Sequence, residues 1–163
     1  MTINELFAGQ LAGNLEFLKN TLADFTDADM LVRPTPGANN AAWQLGHLVS
    51  AETGMVNGIK PGTMPELPAG FKERFTKETT NVDDGRALGT KEELLALMAK
   101  ARAASIQWAK SLSSQELDEP GPERMRRMCP KVADVPLLLI GHVTMHVGQF
   151  QVIRRRLGKP VLF

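Results

Sequence analysis

Four long stretches of this chain repeat apolar residues at steps of three and four. Such a repeat puts the apolar side chains on one face of a helix, which must pack against another element. In the first stretch the repeat consists of Ile3, Phe7, Leu11, Leu15, Leu18, Leu22 and Phe25. No segment shows the alternation of a β-strand, so the sequence predicts an all-α fold, a four-helix bundle.

Helix boundaries follow from residues that satisfy or interrupt backbone hydrogen bonds. The four helices are expected to begin at the N-caps Thr2, Asn39 or Asn40, Thr90 and Asp134. The clearest ends are expected before Arg33-Pro34, at Lys60-Pro61-Gly62 and at Leu157-Gly158-Lys159-Pro160. Residues 60–89 and 113–133 remain as long, Pro- and Gly-containing connections, which favours a bundle with crossover loops over a simple up-and-down bundle.

Composition bounds the class of protein. The 163 residues suit one domain, 1–163, with 43% hydrophobic and 23% charged residues. A formal net charge of +1 gives no reason to expect a nucleic acid or a membrane surface as partner. Cys129 is the only cysteine, which excludes an intrachain disulfide, and the N-terminal residues do not resemble a signal peptide. A cytoplasmic location is therefore expected.

Small residues line one side of the second helix, at Gly46, Ser50, Gly54 and Gly58. Glycine inside a helix costs about 1 kcal/mol relative to alanine, so something should offset it. Close approach of another helix and room for a ligand are both open explanations. The same face is a candidate dimer interface.

His142 and His146 lie four residues apart on the fourth helix and therefore on one face. The pattern predicts that this face is buried and consists of Leu138, His142, Met145, His146, Gln149 and Ile153. A buried imidazole is costly unless its nitrogens are satisfied, and one metal ion would satisfy both rings. Ordinary core packing is the alternative. His47, on the flank of the second helix, reads by its own pattern as a hydrogen-bonded or surface histidine.

Three segments resemble the DinB-like superfamily. They are Asn40-Ala41-Ala42-Trp43-Gln44-Leu45-Gly46-His47-Leu48, Leu138 to Gln149 with its His-x-x-x-His motif, and Arg156-Leu157-Gly158-Lys159-Pro160. The resemblance implies a four-helix bundle with crossover connections, often a homodimer, and a divalent metal held by His47, His142 and His146. Zinc, nickel and iron all suit three imidazoles.

The resemblance also implies a chemistry. Characterised relatives include transferases and isomerases that use low-molecular-weight thiols such as bacillithiol, mycothiol or glutathione. Three neutral ligands leave a metal with an open position, where a thiol can be held in its nucleophilic form. A thiol-dependent, metal-dependent enzyme acting on a small molecule is thus the leading hypothesis. The alternative is a non-catalytic, stress-related binding module whose histidines pack or hold a structural metal.

Further residues are candidates for the same site. Glu52 lies in the apolar stripe of the second helix and could orient a histidine, transfer a proton, or pair with an arginine. Gln149, three residues after His146, could hydrogen-bond a substrate or fill a gap in the core. Arg124, Arg126 and Arg127 could bind an anionic thiol cofactor, or form a solvated basic loop.

Overall fold

Hydrogen bonds between side chain and backbone fix the starts of three of the four long helices. In the computed structural model, which describes residues 1–162, Thr2 and Glu5 form a capping box, and so do Thr90 and Glu93. Asn40 caps its helix by accepting a hydrogen bond from the Trp43 amide at 2.8 Å, which decides between Asn39 and Asn40. Each cap satisfies an N–H group that the first helical turn leaves unpaired.

The long helices are α1 (Ile3–Leu22), α3 (Ala41–Ile59), α5 (Lys91–Ser111) and α7 (Asp134–Arg156). Short helices α2 (Asp27–Met30), α4 (Gly85–Leu88) and α6 (Ser114–Asp118) lie in the connections. The expected all-α bundle is confirmed. Within residues 1–162, no helix is both long enough and apolar enough to cross a bilayer.

Two boundaries differ from the expected ones. The first helix stops at Leu22 rather than running towards Arg33, because Thr26 caps a separate short helix, α2. The last helix has Ala133 as its N-cap, and the Asp134 carboxylate instead accepts a hydrogen bond from the Lys131 amide at 2.9 Å.

Only one of the two long connections crosses the bundle. One hydrophobic cluster joins the end of α1 to the starts of α3 and α5 and the end of α7, for example through Leu22, Leu45, Leu94 and Phe150. A second cluster joins the opposite ends. The segment 60–90 therefore runs the length of the bundle, whereas the segment 112–133 stays at one end.

The crossover segment accounts for one of the small residues on α3. The ring of Phe75 lies against Gly46 so closely that a Cβ added there would be 2.2 Å from it. Gly54, by contrast, is exposed and has no neighbour within 4 Å of such a Cβ. At Gly46 the glycine thus permits close approach of a loop rather than of another helix.

The predicted inward face of α7 is partly wrong. Met145 is 54% exposed, whereas Leu139, Val143 and Val147 are buried. The helix is rotated so that His142 lies at the edge of the buried face. Apolar residues occur on most sides of α7, so hydrophobicity alone does not select the buried side; packing against α1 and α3 does.

Arg154, near the end of α7, is buried and ties the end of the chain to α1. Its guanidinium pairs with Asp24 and donates to the carbonyl oxygens of Thr21 at 3.0 Å and Pro160 at 2.9 Å. These contacts make Arg154 a structural anchor between the end of α7 and the end of α1.

Candidate metal centre

Three histidines from two helices converge in the bundle. His47 comes from α3, and His142 and His146 come from α7. Each offers one ring nitrogen, and these atoms all lie within 4.8 Å of one another. The Nε2 atoms of His142 and His146 are 3.2 Å apart. The α-helical spacing of four brings the latter two together, and packing of α3 against α7 adds His47.

The spacing of His142 and His146 fits a common ion. Two nitrogens bound to a tetrahedral zinc at about 2.0–2.1 Å lie about 3.3 Å from each other. The 3.2 Å between the two Nε2 atoms agrees with that value. All three donors are imidazoles, the ligands that zinc, nickel and iron share. The residues present therefore fit a divalent metal ion.

Burial keeps the three rings uncharged at neutral pH. His146 is 5% exposed, and His47 and His142 are half-buried. Burial, helped by the neighbouring histidines, lowers the pKa of His146 to about 3 and that of His142 to about 4, and burial also lowers the pKa of His47. Neutral imidazoles keep the lone pair that a metal needs.

Gln44 and Trp43, which both precede His47 on α3, contact two of the three rings and orient them. The Oε1 atom of Gln44 lies 2.7 Å from Nδ1 of His146. The indole of Trp43 stacks on His47, with ring centres 5.1 Å apart and planes inclined by 7°. Trp43 also donates from Nε1 to Thr79 Oγ1 at 3.0 Å, which links the ring to the crossover segment. Gln44 was not among the site residues predicted from the sequence, although a glutamine three residues before His47 in an apolar stretch indicates a buried polar partner.

Glu52 lies on another side of α3. Five residues after His47, it is rotated by about 140° around the helix. Its carboxylate pairs with the Arg102 guanidinium on α5 at 2.9 Å, and the side chains are 2% and 0% exposed. Burial raises the pKa of Glu52 although Arg102 opposes the shift. Of the three roles considered, pairing with an arginine is the one observed.

Within residues 1–162, the other candidates form no hydrogen bond or ion pair with the histidines. Gln149 is half-buried, and its side chain forms no hydrogen bond within residues 1–162. The remaining candidates, Arg124, Arg126 and Arg127, are exposed. Pro122, in the same loop, lies beside Gly58 of α3. Gly58 is eleven residues after His47, which corresponds to about 16 Å along the helix. Their part in cofactor binding stays a prediction.

The fold and the site together define the class of protein: a helical bundle whose three convergent imidazoles are suited to bind a divalent metal. The family model of the DinB superfamily matches residues 10–150, so the chain belongs to that superfamily. A crystal structure described as a conserved protein from Enterococcus faecalis shares the fold, with a TM-score of 0.67 and 16% identity. The match covers 98% of this chain and 99% of that one. No curated protein matches the chain.

Proposed function

We propose that this protein is a metal-dependent enzyme in which His47, His142 and His146 hold one divalent ion. The convergence of three ligand nitrogens within 4.8 Å carries the proposal. Membership of the DinB superfamily supports it. The reaction we propose is a transfer or an isomerisation of a small molecule that uses a low-molecular-weight thiol.

The surroundings of the histidines suit catalysis better than a closed structural centre. A divalent ion held there would act as a Lewis acid and lower the pKa of a thiol or water. The chain contributes three neutral donors, so it does not offset the ion's charge. His47 and His142 are only half-buried, so the edge of the cluster is in contact with solvent.

One observation favours a rival function, a binding module whose histidines merely pack. Both ring nitrogens of His146 have partners without any ion, Gln44 at 2.7 Å and His142 at 3.2 Å. A buried histidine satisfied in this way is stable in a core. The two functions differ in whether metal is bound.

Calorimetric titration of untagged, metal-free protein with zinc, nickel and iron(II) separates them. We expect stoichiometric binding by the wild type and none by a His142→Ala, His146→Ala double variant that keeps its helical circular dichroism. Absence of wild-type binding at micromolar metal would refute the metal centre. Loss of helicity on chelation would instead assign the ion a structural role.

The thiol needs its own experiment. Glutathione, bacillithiol and mycothiol are titrated into the metal-loaded and the metal-free protein. Binding of one thiol to the loaded form alone supports the proposed chemistry. Equal binding to both forms, or to neither, contradicts it while leaving the metal centre intact.

A homodimer belongs to the same proposal and is supported by superfamily membership. We also propose a cytoplasmic location, which is consistent with a single cysteine. Light scattering of the purified protein should then give twice the mass of one chain. A monomer at all concentrations tested would contradict the dimer and would leave the metal centre unaffected.

A further inference from the structure

Gln44 is fully buried, and two hydrogen bonds fix the orientation of its amide. Its Nε2 donates to the backbone carbonyl of Asn39 at 2.8 Å. A carbonyl can only accept, so the nitrogen side of the amide must face Asn39. The oxygen side therefore faces His146, where Oε1 lies 2.7 Å from Nδ1.

An amide oxygen can only accept as well, so Nδ1 of His146 must carry the proton. The other nitrogen, Nε2, then has its lone pair directed at the histidine cluster. We infer that Gln44 is a positioning residue that selects the metal-binding tautomer of His146, an inference that rests on the proposed metal centre. Its role is exerted through His146 rather than on substrate.

His142 must carry its proton on a different ring nitrogen from His146 in the metal-free protein. The two Nε2 atoms are 3.2 Å apart, and the one on His146 has no proton to give. In the metal-free protein His142 therefore donates from Nε2. To offer that nitrogen to a metal, His142 must carry its proton on Nδ1 instead, an exchange that its half-buried position allows with water. One ligand is preset and the other must change tautomer.

The Gln44 amide fixes the tautomer of His146 without adding a charge to the cluster. Histidine ligands commonly donate their second N–H to a carboxylate or a carbonyl, which orients the ring and fixes its tautomer. A carboxylate at position 44 would add a negative charge beside the cluster, whereas the Gln44 amide leaves the cluster uncharged. The arrangement thus sets geometry and tautomer while preserving the full charge of a bound ion.

Long-range ¹H–¹⁵N correlation spectra of the metal-free wild type test the tautomers directly. We expect His146 to be protonated at Nδ1 and His142 at Nε2, and both to be protonated at Nδ1 after one equivalent of zinc. Protonation of His146 at Nε2, or an average of its two tautomers, would overturn the inference. The metal-free spectrum does not depend on metal binding. The tautomer assignment can therefore fail while the metal centre stands, and zinc binding can fail while the tautomer assignment holds.

Substitutions separate a positioning role from a packing role. Gln44→Leu removes the acceptor and should give mixed His146 tautomers and about 10–100-fold weaker zinc binding. Gln44→Glu keeps an acceptor oxygen and should restore both the tautomer and the binding. Gln151→Leu is the matched control, because Gln151 is a buried glutamine on α7 whose Nε2 has no partner.

Equal zinc affinities for Gln44→Leu and Gln151→Leu would contradict the role of Gln44. If Gln44→Leu does not fold, the wild-type spectrum and Gln44→Glu decide. Retention of the Nδ1-protonated tautomer in Gln44→Glu then supports positioning, and its loss counts against it.

Discussion

Helix α3 contributes one residue to each of two polar clusters, and the two clusters differ in charge and in burial. Towards α7 lie uncharged imidazoles, two of them half-buried at the edge of the bundle. Towards α5 lies the Glu52–Arg102 ion pair, with both side chains almost fully buried. The pair supplies its own counter-charge, whereas the histidines present lone pairs with no positive charge beside them. A cluster of the first kind is able to hold a cation, whereas the second kind balances its own charges, although Glu52 Oε1 and Arg102 Nε have no hydrogen-bond partner within residues 1–162.

The ion pair should be the more sensitive cluster for stability. Glu52→Leu or Arg102→Met alone leaves a buried charge without its partner, which costs about 3–5 kcal/mol. The double variant replaces both charges by apolar groups and should recover most of that loss. Urea unfolding of the two single variants and the double variant measures the effect. A double variant whose loss equals the sum of the two single losses would show that Glu52 and Arg102 contribute independently, and would contradict the expected coupling.

The histidine cluster should be the more sensitive one for metal binding. His47→Ala removes one of the three proposed ligands and should weaken zinc binding by at least about 100-fold. This loss exceeds the one expected when a residue that only hydrogen-bonds to a ligand is replaced. The Glu52→Leu, Arg102→Met double variant is the control and should bind zinc as the wild type does. Weaker binding by this control would mean that the two clusters are coupled through α3.

Two glycines of α3 test how tightly the histidine side is packed. Gly46→Ala would push a methyl group into the Phe75 ring and should cost about 1–3 kcal/mol. Gly54→Ala meets open space and should stabilise the helix by about 0.5–1 kcal/mol. Thermal unfolding of both variants measures this difference in sign. Stabilisation by Gly46→Ala would show that the crossover segment yields easily.

Acid should destabilise the metal-free protein through the histidines. The folded protein holds the pKa values of His142 and His146 at about 4 and about 3, below the ordinary 6.5. The unfolded chain therefore binds more protons below pH 6.5, and stability falls as the pH decreases towards the folded values. The slope is at most about 1.4 kcal/mol per pH unit for each group. Urea unfolding at pH 7, 6 and 5 measures it, and an equal slope in His142→Ala, His146→Ala would assign the effect elsewhere.

Local signals in the sequence predicted the helices well, because caps and apolar repeats act within one or two turns. Thr2, Asn40 and Thr90 cap the helices as expected. His142 and His146 were paired by helical spacing alone. His47 needed the resemblance, because its meeting with α7 is a contact between distant parts of the chain.

Contacts between helices explain what the sequence did not predict. An ion pair for Glu52 was one expectation, but its partner Arg102 lies fifty residues away along the chain. Met145 was placed inward because α7 is apolar on most sides, and only packing reveals its exposure. Gln44 became meaningful once His146 was seen beside it.

The stacking of Trp43 on His47 has a practical consequence for spectroscopy. The protein contains two tryptophans and no tyrosine, so two indoles dominate its fluorescence. Trp43 lies 5.1 Å from the His47 ring, whereas Trp108 is buried in the other hydrophobic cluster. The fold thereby provides an internal fluorophore in contact with one proposed ligand. In Trp43→Phe only Trp108 remains, so the emission of this variant gives the signal of Trp108 alone. The difference from the wild type is the emission of Trp43, which reports changes at His47 without an added dye.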